Sequence, residues 1–173
     1  MSKVTLVLVL VLALAAVTFA ATPVNPTTTR AEIVAAVTAY IDAQNRGDVY
    51  DMMSMVSRRD DVVSISDGQI ERGWQTIRNS NAQLIRNGAP SGRDMTPGRE
   101  MPPGIKIGEV DVMVLGPTAA VAVAPFTFSV AVAQGFVLVP GASTLVFEKS
   151  GTKWLVVHEH TSITTQEVAR GIE

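Results

Sequence analysis

Two apolar segments near the C-terminus, joined by a short polar turn, constrain the fold of this chain more than any other feature. The stretch from Gly141 to Ser162 reads GASTLVFEKSGTKWLVVHEHTS, and Val, Leu, Phe, Thr and Trp dominate both of its arms. Such residues favour strands, and the Ser-Gly turn within Lys149 to Thr152 predicts a hairpin between them. The fold must therefore contain a sheet to which this hairpin belongs.

The second arm of the hairpin carries both histidines of the chain, with a glutamate between them. Side chains two residues apart share one face of a strand. Regular alternation assigns one face to Trp154, Val156, His158, His160 and Ser162, and the other to Leu155, Val157, Glu159 and Thr161. Both histidines are therefore predicted on the face opposite Glu159.

Residues 1–20 are predicted to form a secretory signal. A lysine precedes a long apolar run, Val4 to Val17, and Thr18-Phe19-Ala20 places small residues where a signal peptidase cuts. The mature chain is expected to be exported, periplasmic or secreted, with residues 21–28 as a polar linker. A retained anchor is the alternative, because the run approaches the ~18 residues of a membrane helix. Contact with a membrane is expected only in that case.

Composition excludes several classes of protein. The 173 residues suffice for one domain, and they include no cysteine, so neither disulfides nor thiolate metal sites are expected. The formal charge of −2, without a cluster of Lys or Arg, argues against a nucleic-acid partner, because phosphate binding needs a basic surface. No cofactor is predicted.

The first half of the mature chain predicts three helices. Thr29 and Glu32 match a capping box that starts the first helix, which should end at Gly47 in the left-handed cap position. Asp48 is placed to cap a short second helix. Trp74 begins the apolar stripe of a third.

The remaining segments predict strands and one long loop. Val62 to Ser66 reads as a strand that turns at Asp67-Gly68, a strong hairpin signal. Residues 87–104 are rich in Pro and Gly and predict a mobile loop or a lid. Further apolar runs are Ile105 to Leu115, Ala119 to Ala133 and Thr144 to Lys149. In the second run the alternation shifts beside Pro125, which predicts a β-bulge or a sharp bend. Helices followed by antiparallel strands predict an α+β domain.

The last hairpin also resembles a known family. Its second arm reads Trp-x-x-Val-His-x-His-x-Ser. Together with the order of helices and strands, this is similar to the NTF2-like superfamily, in particular its SnoaL-like and DUF4440-like members and the association domains of calmodulin-dependent kinases. The resemblance implies an α+β cone over residues 29–165, with three N-terminal helices packed on a strongly curved, mixed or antiparallel sheet and a pocket between them. Residues 166–173 would form a C-terminal tail, and a homodimer is expected because members commonly dimerise.

One helix resembles a more specific relative. Ala39 to Asp48 is similar to the first helix of ketosteroid isomerases, in which a tyrosine at the place of Tyr40 donates a hydrogen bond to a substrate oxyanion. A phenol with a lowered pKa can do this in a dry pocket. The isomerase also needs a carboxylate base where this chain has Ser66, so the resemblance does not extend to steroid isomerisation. The alternative role for Tyr40 is packing at the edge of the core.

The histidine strand offers the other candidates. His158 and His160, about 7 Å apart on one strand face, would need a third ligand to hold a metal ion, and the chain has no third His and no Cys. They are predicted to be structural, and no metal site is predicted. The resemblance to kinase association domains implies Glu159 and Thr161 as the inward pair. Burial would raise the pKa of Glu159 and suit it to general acid–base work, the alternative being a solvent-facing side chain.

The sequence therefore predicts an exported domain that binds a small apolar molecule in a cone-shaped pocket. One alternative is a pocket enzyme, an isomerase, cyclase or hydrolase that uses general acid–base catalysis. The other is a non-catalytic module for dimerisation or protein interaction. The candidate catalytic residues are Tyr40 and Glu159. The candidate ligand-binding residues are Tyr40, Ser66, Trp74, His158, Glu159, His160 and Thr161.

Overall fold

A computed structural model describes residues 25–86, 104–132 and 135–164. The elements follow in the order α1 (Pro26–Arg46), α2 (Val49–Ser54), β1 (Val63–Ser66), β2 (Gln69–Arg72), α3 (Trp74–Arg86), β3 (Ile105–Ile107), β4 (Asp111–Val114), β5 (Ala119–Val132), β6 (Gly135–Ser150) and β7 (Lys153–Ile163). The predicted signal segment, nearly all of the predicted loop at 87–104 and the predicted tail lie outside the described residues. None of the helices within the described ranges is long and apolar enough to span a membrane.

Helix α1 is capped at Asn25, four residues before the cap at Thr29 that the sequence pattern predicted. Asn25 caps it, because its side-chain oxygen accepts hydrogen bonds from the backbone N–H groups of Thr27 and Thr28, and Pro26 occupies the first helical position. Asn is a preferred N-cap residue, and the fixed φ of the proline that follows it already has a helical value. Together they favour the start of a helix more strongly than the capping box at Thr29 does. The linker predicted at residues 21–28 therefore loses its last three residues to the helix.

The other predicted helix ends and the first turn are confirmed. Gly47 has a left-handed φ of 69° and ends α1. Asp48 caps α2 by accepting a hydrogen bond from the backbone N–H of Asp51 at 2.9 Å. Asp67 and Gly68, both with positive φ, form the tight turn between β1 and β2.

The seven strands form one mixed sheet in the order β2-β1-β7-β6-β5-β3, and β4 also pairs with β5. Neighbouring strands are antiparallel except β1 and β7, which run parallel. The run from Ile105 to Leu115 is two short strands, and β6 begins as early as Gly135, so β5 and β6 make one long hairpin. With the helices packed on this sheet, the α+β prediction is confirmed.

No bulge interrupts β5 itself at Pro125, because its pairing with β6 runs through this residue without a shift. The irregularity lies on the other side of β5, where β3 ends at Ile107 opposite Phe126 and β4 starts at Asp111 opposite Val123, so three residues span two positions of β5. The apolar pattern shifts beside Pro125 because Val121 and Val123 lie on the outer face and Phe126 on the inner one. The inward side chains before Pro125 are small and buried: Ala120, Ala122 and Ala124. Small side chains leave room for helix α1, which packs against this strand.

Strand β7 contains a bulge that the sequence did not reveal. Its pairing with β6 slips between Val146 and Phe147, which leaves Val157 without a partner. One extra residue reverses the alternation beyond it. Trp154 therefore faces the helices together with Glu159, whereas regular alternation had predicted opposite faces.

The core lies between α1, α2 and the inner face of the sheet. Its fully buried side chains include Ile33 and Val37 of α1, Met52 and Met53 of α2, and Leu145 and Phe147 of β6. Met52 and Met53 fill the core with flexible side chains that adapt to irregular space.

Trp154 ties this core to the first helix. Its indole Nε1–H donates to the Glu32 carboxylate at 2.8 Å, and Lys149 Nζ donates to the same oxygen at 3.0 Å. Glu32 thus binds the last hairpin rather than the start of its own helix. The core fills one end of the concave face and leaves the end formed by β2, β1 and β7 to a cavity.

Candidate functional site

At the β2-β1-β7 end, the concave face of the sheet carries polar side chains instead of core. Strand pairing aligns them in two rows of three, Glu159-Ser64-Glu71 and Thr161-Ser66-Gln69. Neighbours in a row lie on strands about 4.8 Å apart, and the rows are about 7 Å apart along the strands. These six side chains, here called the polar floor, line a cavity of about 510 Å³.

Helices α1 and α3 supply the walls of the cavity. Tyr40 and Gln44 project from α1 one turn apart, and the floor strand β1 and its turn add Ile65 and Asp67. Helix α3 contributes Ser80, Asn81, Gln83 and Leu84.

Tyr40 and Glu159 meet at the inner wall, as the fold had led us to expect. Tyr40 is only 2 % exposed, and its hydroxyl donates a hydrogen bond to Glu159 Oε2 at 2.9 Å. Glu159 Oε1 accepts a longer contact of 3.5 Å from Thr161 Oγ1, which also shares a 2.8 Å hydrogen bond with the buried Ser143. The carboxyl group of Glu159 is thus fixed through both of its oxygens.

The two members of this pair are electrostatically different. Burial raises the pKa of Glu159 above its ordinary value, although the hydrogen bonds from Tyr40 and Thr161 act in the opposite direction. Burial also raises the pKa of Tyr40 well above its usual value, and the Glu159 carboxylate adds to this effect. The lowered pKa expected of a catalytic phenol is therefore contradicted. Tyr40 is a fixed hydrogen-bond donor, and Glu159 is the member that can exchange a proton.

Most of the other polar groups around the cavity have no hydrogen-bond partner within the described part of the chain. Among the described residues, seven lining side chains make no hydrogen bond: Gln44, Ser64, Ser66, Gln69, Glu71, Ser80 and Gln83. By contrast, Asn81 donates to a carbonyl of its own helix, and Asp67 accepts from the Ile163 N–H. Convergent polar groups without protein partners are what a ligand site needs to fix a bound molecule.

The structure brings together four of the residues proposed from the sequence, namely Tyr40, Ser66, Glu159 and Thr161. Trp74 does not line the cavity. Its Nε1–H donates to the Met53 carbonyl at 3.0 Å, and the guanidinium of Arg58 lies 5.0 Å from its ring centre. Trp74 therefore secures α3 on α2, and nothing in its position supports a ligand-binding role.

Both histidines lie on the outer face of the sheet, away from the cavity. His158 pairs with Val146 and His160 with Thr144, whose side chains share that outer face. Their placement opposite Glu159 is confirmed, and it gives no support to their proposed part in ligand binding. Across the described ranges, no three His, Cys, Asp or Glu side chains are grouped so that they could hold a metal ion.

Sequence reasoning missed half of the polar floor. Once Ser66 is placed inward, Ser64 must share its face, and pairing across the Asp67-Gly68 turn brings Gln69 and Glu71 alongside them. That signal was present in the sequence. The residues from α3 carried no comparable signal, because the angle at which a helix crosses a sheet is set by tertiary packing.

The comparisons with known proteins agree with this architecture. A family model described as the SnoaL-like domain matches residues 33–166. No curated protein matches the chain. An NTF2-like protein of unknown function from Shewanella oneidensis is similar in structure, with a TM-score of 0.60 and 20% identity over 78% of this chain and 98% of that one.

Two further solved structures have the same fold. An NTF2-like family protein from Streptomyces avermitilis, proposed to be a dehydratase, gives a TM-score of 0.63 with 19% identity over 81% of this chain and 99% of its own. The association domain of CaMKII from C. elegans gives 0.60 with 14% identity over 79% and 96%. At such low identity these structures establish the fold, which is NTF2-like. Because the family match runs from α1 past the end of β7 and includes the polar floor, the chain belongs to the SnoaL-like domain family.

Proposed function

We propose that this domain binds a small molecule in the cavity above the polar floor, with Glu159 as the anchoring group. The observation that carries the proposal is the hydrogen bond from the Tyr40 hydroxyl to Glu159 at the wall of a cavity of about 510 Å³. That volume lies within the ~300–1,000 Å³ typical of small-molecule sites. A buried carboxyl group held in one orientation can bind a ligand without first losing its own rotational freedom.

The lining changes the expected chemistry of the ligand. Twelve of the fourteen lining side chains carry polar groups, and only Ile65 and Leu84 do not. The apolar ligand predicted from the sequence does not suit such a lining, because it would cover hydroxyl, amide and carboxyl groups without satisfying them. A polar ligand is favoured instead.

Isothermal titration calorimetry of Glu159→Gln and wild-type protein with compounds from a small-molecule screen tests the anchor. The amide keeps the size of the side chain but loses its charge and its ability to release a proton. Cavity ligands should bind about tenfold more weakly to the variant, since a hydrogen bond to a charged group is worth roughly 1.5–3 kcal/mol. A Ser162→Ala control, exposed on the outer face of the same strand, should bind as wild type. Equal affinity in all three proteins would contradict the role of Glu159.

General acid–base catalysis is a second candidate, favoured by the direction of the Glu159 pKa. A carboxyl group whose pKa burial has raised is suited to taking and returning a proton, while Tyr40 steadies it as a donor. The similar S. avermitilis protein is itself proposed to be a dehydratase. In this case Glu159→Gln should abolish turnover of a bound substrate while much of the affinity remains. If Glu159→Gln converts the substrate at the wild-type rate, Glu159 is excluded as the base.

Association with a second copy of the chain is also proposed, through the outer face of the sheet. Met113, Val123 and Leu138 project from neighbouring strands on this face and are 64%, 40% and 51% exposed. An apolar surface shared by adjacent strands can meet its own copy about a two-fold axis. One similar structure is an association domain.

Multi-angle light scattering at micromolar concentration tests this association. Val123→Asp and Leu138→Asp should each yield monomers. Tyr50→Asp changes a side chain on α2 that is 76% exposed and should leave the dimer intact. A monomeric wild-type protein would contradict the proposal.

Export is proposed on the pattern of residues 1–20. In a bacterial host expressing the whole sequence, mass spectrometry of the exported protein should find an N-terminus near Ala21. Recovery of an uncut chain from the membrane fraction would instead favour the retained anchor.

A further inference from the structure

The unpartnered groups of the cavity specify the hydrogen-bonding chemistry of its ligand. Ser64, Ser66 and Ser80 each offer a hydroxyl that donates and accepts, and the amides of Gln44, Gln69 and Gln83 do the same with separate atoms. A matching ligand must present several groups that can both donate and accept, distributed over its surface. Hydroxyl groups on a compact carbon skeleton meet this requirement.

The charge of the residues that line the cavity further restricts the chemical class of the ligand. Asp67, Glu71 and Glu159 are acidic, and no Lys, Arg or His is among the described residues around the cavity. An anionic ligand would face like charges without a counter-charge, which disfavours its binding. Carboxylates accept hydrogen bonds only, so a ligand rich in O–H donors suits them.

A single ammonium group fits the arrangement less well. Glu159 and Glu71 lie at opposite ends of one floor row, with Ser64 between them, so their strands are about 10 Å apart. One compact cation cannot contact both, and it would leave the serine and glutamine groups between them unpaired. Donors spread around a ring can reach the whole row.

We infer that the ligand is a neutral polyhydroxylated molecule of the carbohydrate or cyclitol class, an inference that rests on the proposed ligand-binding function. The polar floor binds its hydroxyl groups along two rows, and Glu159 accepts from one of them. Leu84 supplies the apolar contact that the carbon face of such a ring requires.

Saturation-transfer NMR with a panel of probes tests this inference. The hydroxyl-rich probes are methyl glucopyranoside, methyl galactopyranoside, methyl mannopyranoside and myo-inositol. Spermidine represents cations, citrate represents anions and progesterone represents apolar molecules. We expect saturation to be transferred from the protein to at least one hydroxyl-rich probe, and little to be transferred to spermidine, citrate or progesterone.

Two floor variants locate the binding. Gln69→Leu removes an amide at nearly constant volume, and Ser64→Val replaces a hydroxyl with a larger apolar group; each should weaken binding of the hydroxyl-rich probe about tenfold. Ser162→Val, an outer-face change on β7, should not alter it. Thermal melting of each variant verifies that it is folded.

The outcomes separate the ligand class from the cavity function. If only progesterone, spermidine or citrate binds, and Ser66→Trp blocks it by filling the cavity, the polyhydroxylated class is overturned and the cavity function stands. If the hydroxyl-rich probe binds Ser64→Val and Gln69→Leu as tightly as wild type, the assignment of its binding site to the polar floor is overturned. If no probe of any class binds the wild-type protein, the proposed function fails together with this inference.

Discussion

The hydrogen bond between Tyr40 and Glu159 makes a quantitative prediction about stability. Tyr40→Phe removes one hydroxyl and keeps the buried ring, so it leaves no cavity of consequence. Where Glu159 is ionised, a state that pH 8 favours, the variant leaves the carboxylate without this donor, and a hydrogen bond to a charged group contributes roughly 1.5–3 kcal/mol. We expect the free energy of unfolding to fall by about that amount.

A double-mutant cycle isolates the pair. With Gln at position 159 the bond from Tyr40 is between neutral groups and is worth only about 0.5–1.5 kcal/mol. The coupling energy from wild type, the two single variants and the double variant should therefore be on the order of 1–2 kcal/mol at pH 8. Urea unfolding followed by tryptophan fluorescence provides the four values.

The pH dependence gives the sign of the effect. Burial raises the pKa of Glu159 in the folded state above its ordinary value of 4.5, so the folded protein binds the proton more tightly than the unfolded chain. This group therefore contributes stability that is fully present below pH 4.5 and is lost as the pH rises through the folded-state pKa. Tyr40→Phe removes a bond that lowers this pKa, so the loss should extend over a wider pH range. Glu159→Gln should abolish it.

Tyr50→Phe is the matched control, because Tyr50 is 76% exposed and has no side-chain hydrogen bond to a described residue. Its stability should stay within about 0.5 kcal/mol of wild type at every pH. A coupling energy near zero at pH 8, or identical pH profiles for wild type and Glu159→Gln, would refute the reasoning.

Two further pairs of substitutions test other contacts by denaturant unfolding. The side chain of Asn45 bonds both the N–H and the C=O of Ile105, at 2.7 and 2.8 Å, so Asn45→Ala should cost about 1–3 kcal/mol, whereas Gln44→Ala next to it should cost less than about 0.5 kcal/mol. Trp154→Ala should cost about 3–5 kcal/mol by emptying the core end, and Trp154→Phe much less because it loses chiefly the indole bond to Glu32. Equal losses of stability for Asn45→Ala and Gln44→Ala, or for Trp154→Ala and Trp154→Phe, would contradict the role given to Asn45 or to Trp154.

The sequence predicted the elements of the fold better than their edges. Caps and turns are local, and Gly47, Asp48 and Asp67-Gly68 were read correctly because their own residue types impose the backbone conformation. The extent of β6 back to Gly135 was missed, because Pro140 and Gly141 interrupt its strand-forming residues and only the pairing with β5 carries the strand through them.

Packing explains which side chains of β5 face inward. Hydrophobicity alone favours burying its valines, yet the positions beneath α1 are taken by the small side chains of Ala120, Ala122 and Ala124. The size of a neighbouring element cannot be read from the strand itself. For the same reason, the polar character of the cavity emerged only when β1, β2 and α3 were assembled around Glu159.

The bulge at Val157 explains why one strand serves both the core and the cavity, and it leads to a last prediction. Because Val157 has no partner on β6, deleting it should restore regular alternation and keep Trp154 and Glu159 on the same inner face. Deleting Leu155 instead leaves the bulge in place and moves Trp154 to the outer face.

We therefore expect the deletion of Val157 to yield a folded protein in which Tyr40 still lowers the pKa of residue Glu159. The deletion of Leu155 should cost about 3–5 kcal/mol, the value of a large aromatic side chain lost from a core. Denaturant unfolding compares the two, and NMR titration of the Glu159 carboxyl, with and without Tyr40→Phe, reports whether the pair is intact. If removing Val157 destabilises the protein as much as removing Leu155, the bulge is required for the curvature that forms the cavity, and the argument from faces alone fails.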